Sequence, residues 1–228
     1  MIQAIVYDAV GTLLHVQPSV AAVYADIGRR FGSQLGDAEV GRRFRDAFSR
    51  QERLDREAGW RTSEARERER WQAIVADVLS DADDSAGCFA SLYDHFASPA
   101  AWRCDPDAAV VLAALRKQGF RQALASNFDR RLRGVIADMA PFASIDEIVI
   151  SSEVGWRKPA AEFFAALMDR LHLSADAILF IGDDRHNDYE AARRAGMPAR
   201  LLDPLGRHHD VGADRLEGLT GLLDVVKG

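Results

Sequence analysis

From about residue 104 onward the chain alternates short, nearly continuous apolar runs with amphipathic helical segments, and that rhythm leaves few architectures open. The runs Gln122–Ser126, Glu147–Ile150, Ile178–Ile181 and Ala199–Leu202 are strand-sized and too apolar for a sheet with one wet face. Between them lie segments whose buried positions at helical spacing are Val111, Leu112 and Leu115, then Leu132, Val135 and Ile136, then Phe163, Phe164, Leu167 and Leu171. Connections of helix length imply parallel strands, covered on both faces. A further apolar run, Ala4–Tyr7, has no neighbour of its own near the amino end, so it must join the same sheet.

Residues 18–97 follow a different period. Val20, Val23, Tyr24, Ile27 and Phe31 make one apolar face; Val40, Phe44, Phe48 and Leu54 make a second. Trp71, Ile74, Val75, Val78 and Leu79 form a third, and Phe89, Leu92, Tyr93 and Phe96 a fourth. These i, i+3, i+4 spacings predict four helices, with Pro18 in a first turn and breaks at Gly32, Gly36 and Gly59. The arginine-rich stretch from Arg42 to Arg70 is interleaved with acids and reads mainly as solvated faces with i, i+4 pairs. The expected organisation is an α/β core of residues 1–15 and 104–228, with a helical unit of residues 16–103 inserted after the first strand.

Composition narrows the partners. A formal charge of −6 disfavours nucleic acid, and the longest apolar runs fall short of a membrane span. Cys88 and Cys104, the only cysteines, suggest neither a disulfide framework nor a metal cluster. With Met1 leading straight into a strand, a cytoplasmic location and a small-molecule substrate are the expectations; oligomeric state is not legible.

In open parallel sheets the ligand lies beyond the carboxyl ends of the strands. Four such ends carry polar residues: Asp8 in Asp8-Ala9-Val10-Gly11-Thr12-Leu13; Ser126-Asn127; Ser152-Glu153-Val154-Gly155-Trp156-Arg157-Lys158-Pro159; and Gly182-Asp183-Asp184, with Asp188 beyond. Each alone has an ordinary explanation. An Asp after a strand is a common cap, Ser126 or Asn127 suits the cap of a helix starting near Phe128, and Gly-Asp-Asp suits a turn. All four on one sheet edge form a far more specific pattern, and Lys158 is one of only three lysines.

In that order the four stretches resemble the haloacid dehalogenase superfamily across essentially the whole chain, and the helical insertion is similar to that superfamily's first cap type. The strings from Ser126 to Leu132 and from Ser152 to Pro159 look closer still to the branch called haloacid dehalogenase-like hydrolase domain-containing protein 3. The resemblance implies a Rossmann-like core and a hydrolase with Asp8 as nucleophile. It implies Mg²⁺ held by Asp8, the Val10 backbone carbonyl and Asp183, with Asp188 and Asp184 acting through water. Lys158 would offset the charge of Asp8 and of phosphoryl oxygens, with Ser126 and Thr12 donating hydrogen bonds. Gly11 would let backbone amides approach an anion. Asn127, Trp156, Arg157, Trp60 and Arg61 are the candidates for substrate contact.

One residue departs from this pattern. Phosphatases of the superfamily usually carry a second Asp two residues after the nucleophile, and Val10 stands there. General acid–base help of that kind is typically worth about 10²–10⁴-fold. Three readings follow: a Mg²⁺-dependent phosphatase for leaving groups that need little protonation, or with an acid from His15, Asp129 or His186; a 2-haloacid dehalogenase, against which the retained Gly182-Asp183 pair counts; and a catalytically quiet anion- or metal-binding protein. A phosphonate-cleaving variant would need a lysine within residues 18–103, which hold none.

Overall fold

The computed structural model describes residues 1–226. The chain opens with β1 (Ala4–Tyr7) and β2 (Leu14–Val16), then runs through α1 (Val20–Arg30), α2 (Asp37–Glu57), α3 (Glu64–Val78) and α4 (Ser85–His95). It returns by β3 (Trp102–Cys104) to α5 (Ala108–Lys117), β4 (Arg121–Ser126), α6 (Arg131–Ile136), β5 (Glu147–Ile150) and α7 (Ser151–Val154). The remainder is α8 (Ala161–Leu171), β6 (Ile178–Gly182), α9 (Ala191–Arg194), β7 (Ala199–Leu202), β8 (Arg215–Leu216) and α10 (Leu222–Val225).

Six strands form one parallel sheet in the order β5-β4-β1-β6-β7-β8. The first apolar run is therefore central, with Tyr7 opposite Leu124 on one side and Ile181 on the other. Alternation along the strands divides the core. Ile5, Tyr7, Leu124, Leu179 and Ile181 pack with Val111, Leu112, Leu115, Leu132 and Val135 on one face. Ala4, Val6, Ala123, Ala125 and Phe180 pack with Phe163, Phe164, Leu167 and Leu171 on the other. The fold class read from the sequence is the one observed. The two-residue β8 was missed because so short a strand carries no pattern.

The four helices α1 to α4 pack around their own core, which includes Val23, Tyr24, Ile27, Val40, Ile74, Val75, Phe89 and Leu92. Chain entry and exit both pass through one antiparallel pair, β2 with β3, where His15 lies opposite Arg103. Pro18 lies before α1 and outside its first turn; Ser19 is the N-cap and its Oγ accepts from Ala22 N–H at 3.3 Å. The basic stretch is solvated as expected where Arg42 pairs with Glu39 and Asp46, but Arg70 turns inward and is 1% exposed. Among the described residues no helix is long and apolar enough to cross a membrane.

Leu124 is fully buried at the sheet centre, whereas Val110 on α5 is 64% exposed. Leu124→Ala is expected to lower unfolding free energy by about 2–5 kcal/mol. Val110→Ala should change it by less than about 0.5 kcal/mol. Urea denaturation of both variants checks this.

Candidate active site

The strand order places three carboxyl ends side by side. Between β1 and β6 the direction of chain progression across the sheet reverses, which is where a crevice opens in folds of this kind. Asp8 follows β1 and Asp183 follows β6, and the Asp8 backbone N–H donates to Ile181 O at 2.8 Å. Ser126 closes β4 on the other side. Asp188 comes from the single π-helical turn Arg185–Glu190, whose N-cap is Asp184.

A buried ammonium joins these groups. Lys158 Nζ is 2.6 Å from Asp8 Oδ1, 2.6 Å from Asp188 Oδ1 and 2.8 Å from Ala125 O, so its three protons are all used. Burial works against its charge, but Asp188 and Asp8 outweigh burial and hold the ammonium above the ordinary lysine range. Asn127 fixes the backbone that carries it: its Nδ2 donates to Lys158 O at 2.9 Å, and Lys158 N–H donates to Asn127 Oδ1 at 2.8 Å. That reciprocal pair explains why no helix starts near Phe128. The Asn127 side chain is committed to Lys158, and α6 starts at Arg131, whose N–H donates to Asp129 Oδ1 at 3.1 Å.

One oxygen each from Asp8, Asp183 and Asp188 lies within 4.8 Å of the others. Three carboxylates against one ammonium leave an excess of two negative charges. Burial, then the charge of Asp8, pushes Asp183 up to about 7, while Thr12 and Lys158 pull the other way. Burial also raises Asp188, against the pull of Lys158. Asp183 faces the cavity, so its surface is reachable although protein surrounds it. Such a set of hard oxygen donors short of positive charge suits a divalent cation of the Mg²⁺ or Ca²⁺ kind. Asn187 lines the same cavity, and its Oδ1 is buried without a hydrogen-bond partner among the described residues.

Some expected roles change. Thr12 is fully buried and donates to Asp183 Oδ1 at 3.1 Å, so it orients a carboxylate and does not face the cavity. The Gly11 amide is committed to Leu14 O at 2.8 Å and is not free for an anion. Glycine is needed there for two other reasons: φ is +99°, and a Cβ would sit 2.3 Å from Asp183 Oδ2. The Asp184 carboxylate accepts from His186 and Asn187 N–H, as a cap. Ser126 lines the cavity, and its hydroxyl makes no hydrogen bond among the described residues.

The cavity measures about 320 Å³ and runs from Asp8, Val10 and Lys158 into the helical unit. Arg157 lines it and is buried against Glu67, with Asp55 3.7 Å from its Nε. Trp60, Arg61 and Trp156 do not line it. Arg61 lies over the Trp156 ring at 4.8 Å, and Arg157 N–H donates to Trp60 O at 2.9 Å. These three residues form a seam between the helical unit and the loop before Lys158, a job the sequence reading did not separate from substrate contact. The suggested acids are also elsewhere. His15 faces Asp105 at 3.2 Å, Asp129 is held by Arg131 at 2.7 Å, and His186 lies 3.7 Å from Glu190.

Sequence reasoning missed Arg70, Arg131 and the aromatic cavity wall. Phe44, Phe48, Trp71, Tyr93 and Phe96 were visible as helix faces, and periodicity does not distinguish a face that closes a core from one that lines a void.

A family model described as haloacid dehalogenase-like hydrolase matches residues 2–196. The human haloacid dehalogenase-like hydrolase domain-containing protein 3 is 27% identical over 236 residues, spanning 99% of this chain and 94% of that protein. The HAD-hydrolase YfnB from Bacillus subtilis, solved bound to magnesium, superposes with a TM-score of 0.79 at 18% identity, over 100% of this chain and 99% of that one. The L-2-haloacid dehalogenase from Xanthobacter autotrophicus does so with a TM-score of 0.77 at 18% identity, with the same coverage. At that identity the two structures speak for the fold alone.

Removing the ammonium leaves the carboxylates uncompensated. Lys158→Met is expected to destabilise the protein by about 3–5 kcal/mol at pH 8. Burial already holds Asp188 above the usual carboxylate range against the pull of Lys158, and without that pull it rises further, so the loss should shrink toward pH 5 as Asp188 protonates. Thermal melts of wild type and variant across that range check the sign.

Proposed function

The chain belongs to the haloacid dehalogenase-like hydrolase family, and from that premise we propose that it is a Mg²⁺-dependent phosphohydrolase cleaving a small phosphorylated compound through an aspartyl-phosphate on Asp8. The observation that carries this reading is the pairing of Asp8 with Asp183 and Asp188 around Lys158. Displacing halide from a haloacid anion asks only for one carboxylate and gains nothing from two more negative groups beside it. A phosphate ester with a divalent cation uses all of them, because one such cation matches the excess of two charges.

Lys158 holds Asp8 Oδ1, which leaves Oδ2 without a hydrogen-bond partner among the described residues and free to attack phosphorus. The P–O bond to the leaving group breaks as the Asp8 Oδ2–P bond forms, and the electron pair departs on the leaving oxygen. Ser126 offers its hydroxyl to a phosphoryl oxygen. Held by Asp8, Asp183, Asp188 and the Val10 carbonyl, Mg²⁺ would supply charge neutralisation to the phosphoryl group. Water then cleaves the acyl phosphate, restoring Asp8 and releasing inorganic phosphate. We read the helical unit as a cap that excludes bulk water, with Asn127 and Arg157 positioning the Lys158 loop. Val10 lines the cavity where an acid usually stands, so departure depends on the leaving group's own stability as an anion.

Hydrolysis of p-nitrophenyl phosphate tests the reading. Turnover is expected with Mg²⁺, lost in EDTA and lost in Asp8→Asn; turnover of 2-chloropropionate by a protein inert toward the ester would move the assignment to dehalogenation. Val10→Asp should raise rates on alkyl phosphates by about 10²-fold or more, and on aryl phosphates by much less; an equal effect would mean that residue 10 is remote from the leaving group.

Mg²⁺ binding has its own signature. The raised pKa of Asp183 gives the metal-free fold stability that is full below about pH 4 and lost as pH climbs to about 7. A bound cation favours the ionised form, so the rise in Tm on adding Mg²⁺ should be larger at pH 8 than at pH 6. An increment independent of pH would speak against Asp183 as a ligand.

A further inference from the structure

The cavity wall beyond Asp8 is built for a particular kind of leaving group. Tyr24, Phe44, Phe48, Trp71, Tyr93 and Phe96 present aromatic surface from the helical unit, and Trp102 and Phe128 close it from the core side. A wall of this kind favours a flat apolar body, held by offset or edge contacts.

Three arginines line the same space, and they differ in what they hold. Arg131 is fully committed: Nε and Nη2 donate to Asp129 and Nη1 to Tyr93 O. Arg157 donates to Glu67. Arg70 is 1% exposed, and only its Nε is bonded, to Asp55 Oδ2 at 2.9 Å. Its Nη2 is buried with no hydrogen-bond partner among the described residues. Its guanidinium stacks 4.4 Å from the Phe48 ring centroid and 5.7 Å from that of Trp71, inside the aromatic wall. Burial, with the charge of Arg157, lowers Arg70 to about 10 against the pull of Glu67 and Asp55, so it stays cationic at neutral pH. Glu52 also lines the cavity and makes no ion pair with Arg70 among the described residues. Buried donors are nearly always satisfied, and a charged one left open is unfavourable until an acceptor arrives.

We propose that the substrate is a phosphate monoester of a phenol whose ring carries a carboxylate, the ring lying against the aromatic wall and the carboxylate accepting from Arg70. This deepens the Asp8 phosphohydrolase reading and rests on it. The missing acid at Val10 fits the same substrate. When Asp8 Oδ2 bonds to phosphorus, the P–O(aryl) bond breaks with its electron pair on a phenolate, which leaves without a proton and takes one from water afterwards. Two independent features, the absent carboxyl at residue 10 and the unpaired guanidinium at residue 70, thus select one ligand chemistry. Arg70 is a specificity-determining residue in this scheme; it does not touch the reacting atoms.

The test compares 3- and 4-carboxyphenyl phosphate with unsubstituted phenyl phosphate, all with Mg²⁺. Wild type should favour at least one carboxylated ester by tenfold or more in kcat/KM, and Arg70→Met should reduce that ratio to within about twofold of unity. Arg70→Lys should keep part of it. Should the Arg70 variants fail to fold, calorimetric binding of the uncleaved esters to Asp8→Asn supplies the same comparison, with the carboxylated ester tighter by a similar factor. A ratio near one in wild type, or one kept by Arg70→Met, overturns the proposal while Asp8-dependent hydrolysis of phenyl phosphate leaves the phosphohydrolase reading standing. Absence of any Asp8-dependent phosphate release overturns both.

Discussion

The Lys158 ammonium is the point on which the site depends. Two carboxylates and a strand-end carbonyl converge on it inside the protein, and each contact answers a different cost of burial. Without the cation, the carboxyl ends of β1 and β6 would bring like charges together at the middle of the sheet. Without the carboxylates, a lysine so deeply buried would lose its proton. The arrangement also breaks the symmetry of Asp8, occupying one oxygen and leaving the other available. Its placement is set by backbone: Asn127 grips the Lys158 peptide on both sides, so β4 positions a residue that arrives much later in the chain.

The same loop meets the helical unit. Thr62 N–H donates to Gly155 O at 3.0 Å, Arg157 N–H donates to Trp60 O at 2.9 Å, and Glu64 Oε1 accepts from Ser152 Oγ at 2.5 Å. Behind them Arg157 and Glu67 form a buried pair, with Thr62 Oγ1 also on Glu67 at 2.7 Å. Any displacement of the helical unit therefore pulls on Gly155 and Arg157, within three residues of Lys158. The position of the ammonium is thus tied through this seam to the position of the helical unit.

Much of this was legible because strand patterns and strand-end chemistry are local. Ala4–Tyr7, Glu147–Ile150 and Ala199–Leu202 have the expected bounds, and the four polar strand ends meet as adjacency in the sheet requires. What escaped was set by partners distant in sequence. Asn127 looked like a helix cap until Lys158 appeared opposite it. Thr12 looked like a donor to ligand until Asp183 proved to be the acceptor of its hydrogen bond. Arg70 read as one more arginine on a solvated helix, since nothing in α3 alone reveals that Asp55 on α2 draws it inward. Trp60 and Arg61 had the right chemistry for a ligand, but the bridge between Arg61 and Trp156 commits their segment to the seam.

The antiparallel pair β2 and β3 has a consequence of another kind. Residues 17–101 leave and rejoin the core at neighbouring strands, so the ends of that stretch are only a strand spacing apart, about 5 Å. To the parallel sheet, everything beyond Val16 and Trp102 is equivalent to a hairpin loop. Selection can lengthen, shorten or exchange that stretch wholesale, and strand order and the carboxyl-end chemistry stay as they are. Under the proposed reading, recognition and reaction thus lie on separable stretches of one chain, joined through a hairpin of three paired positions.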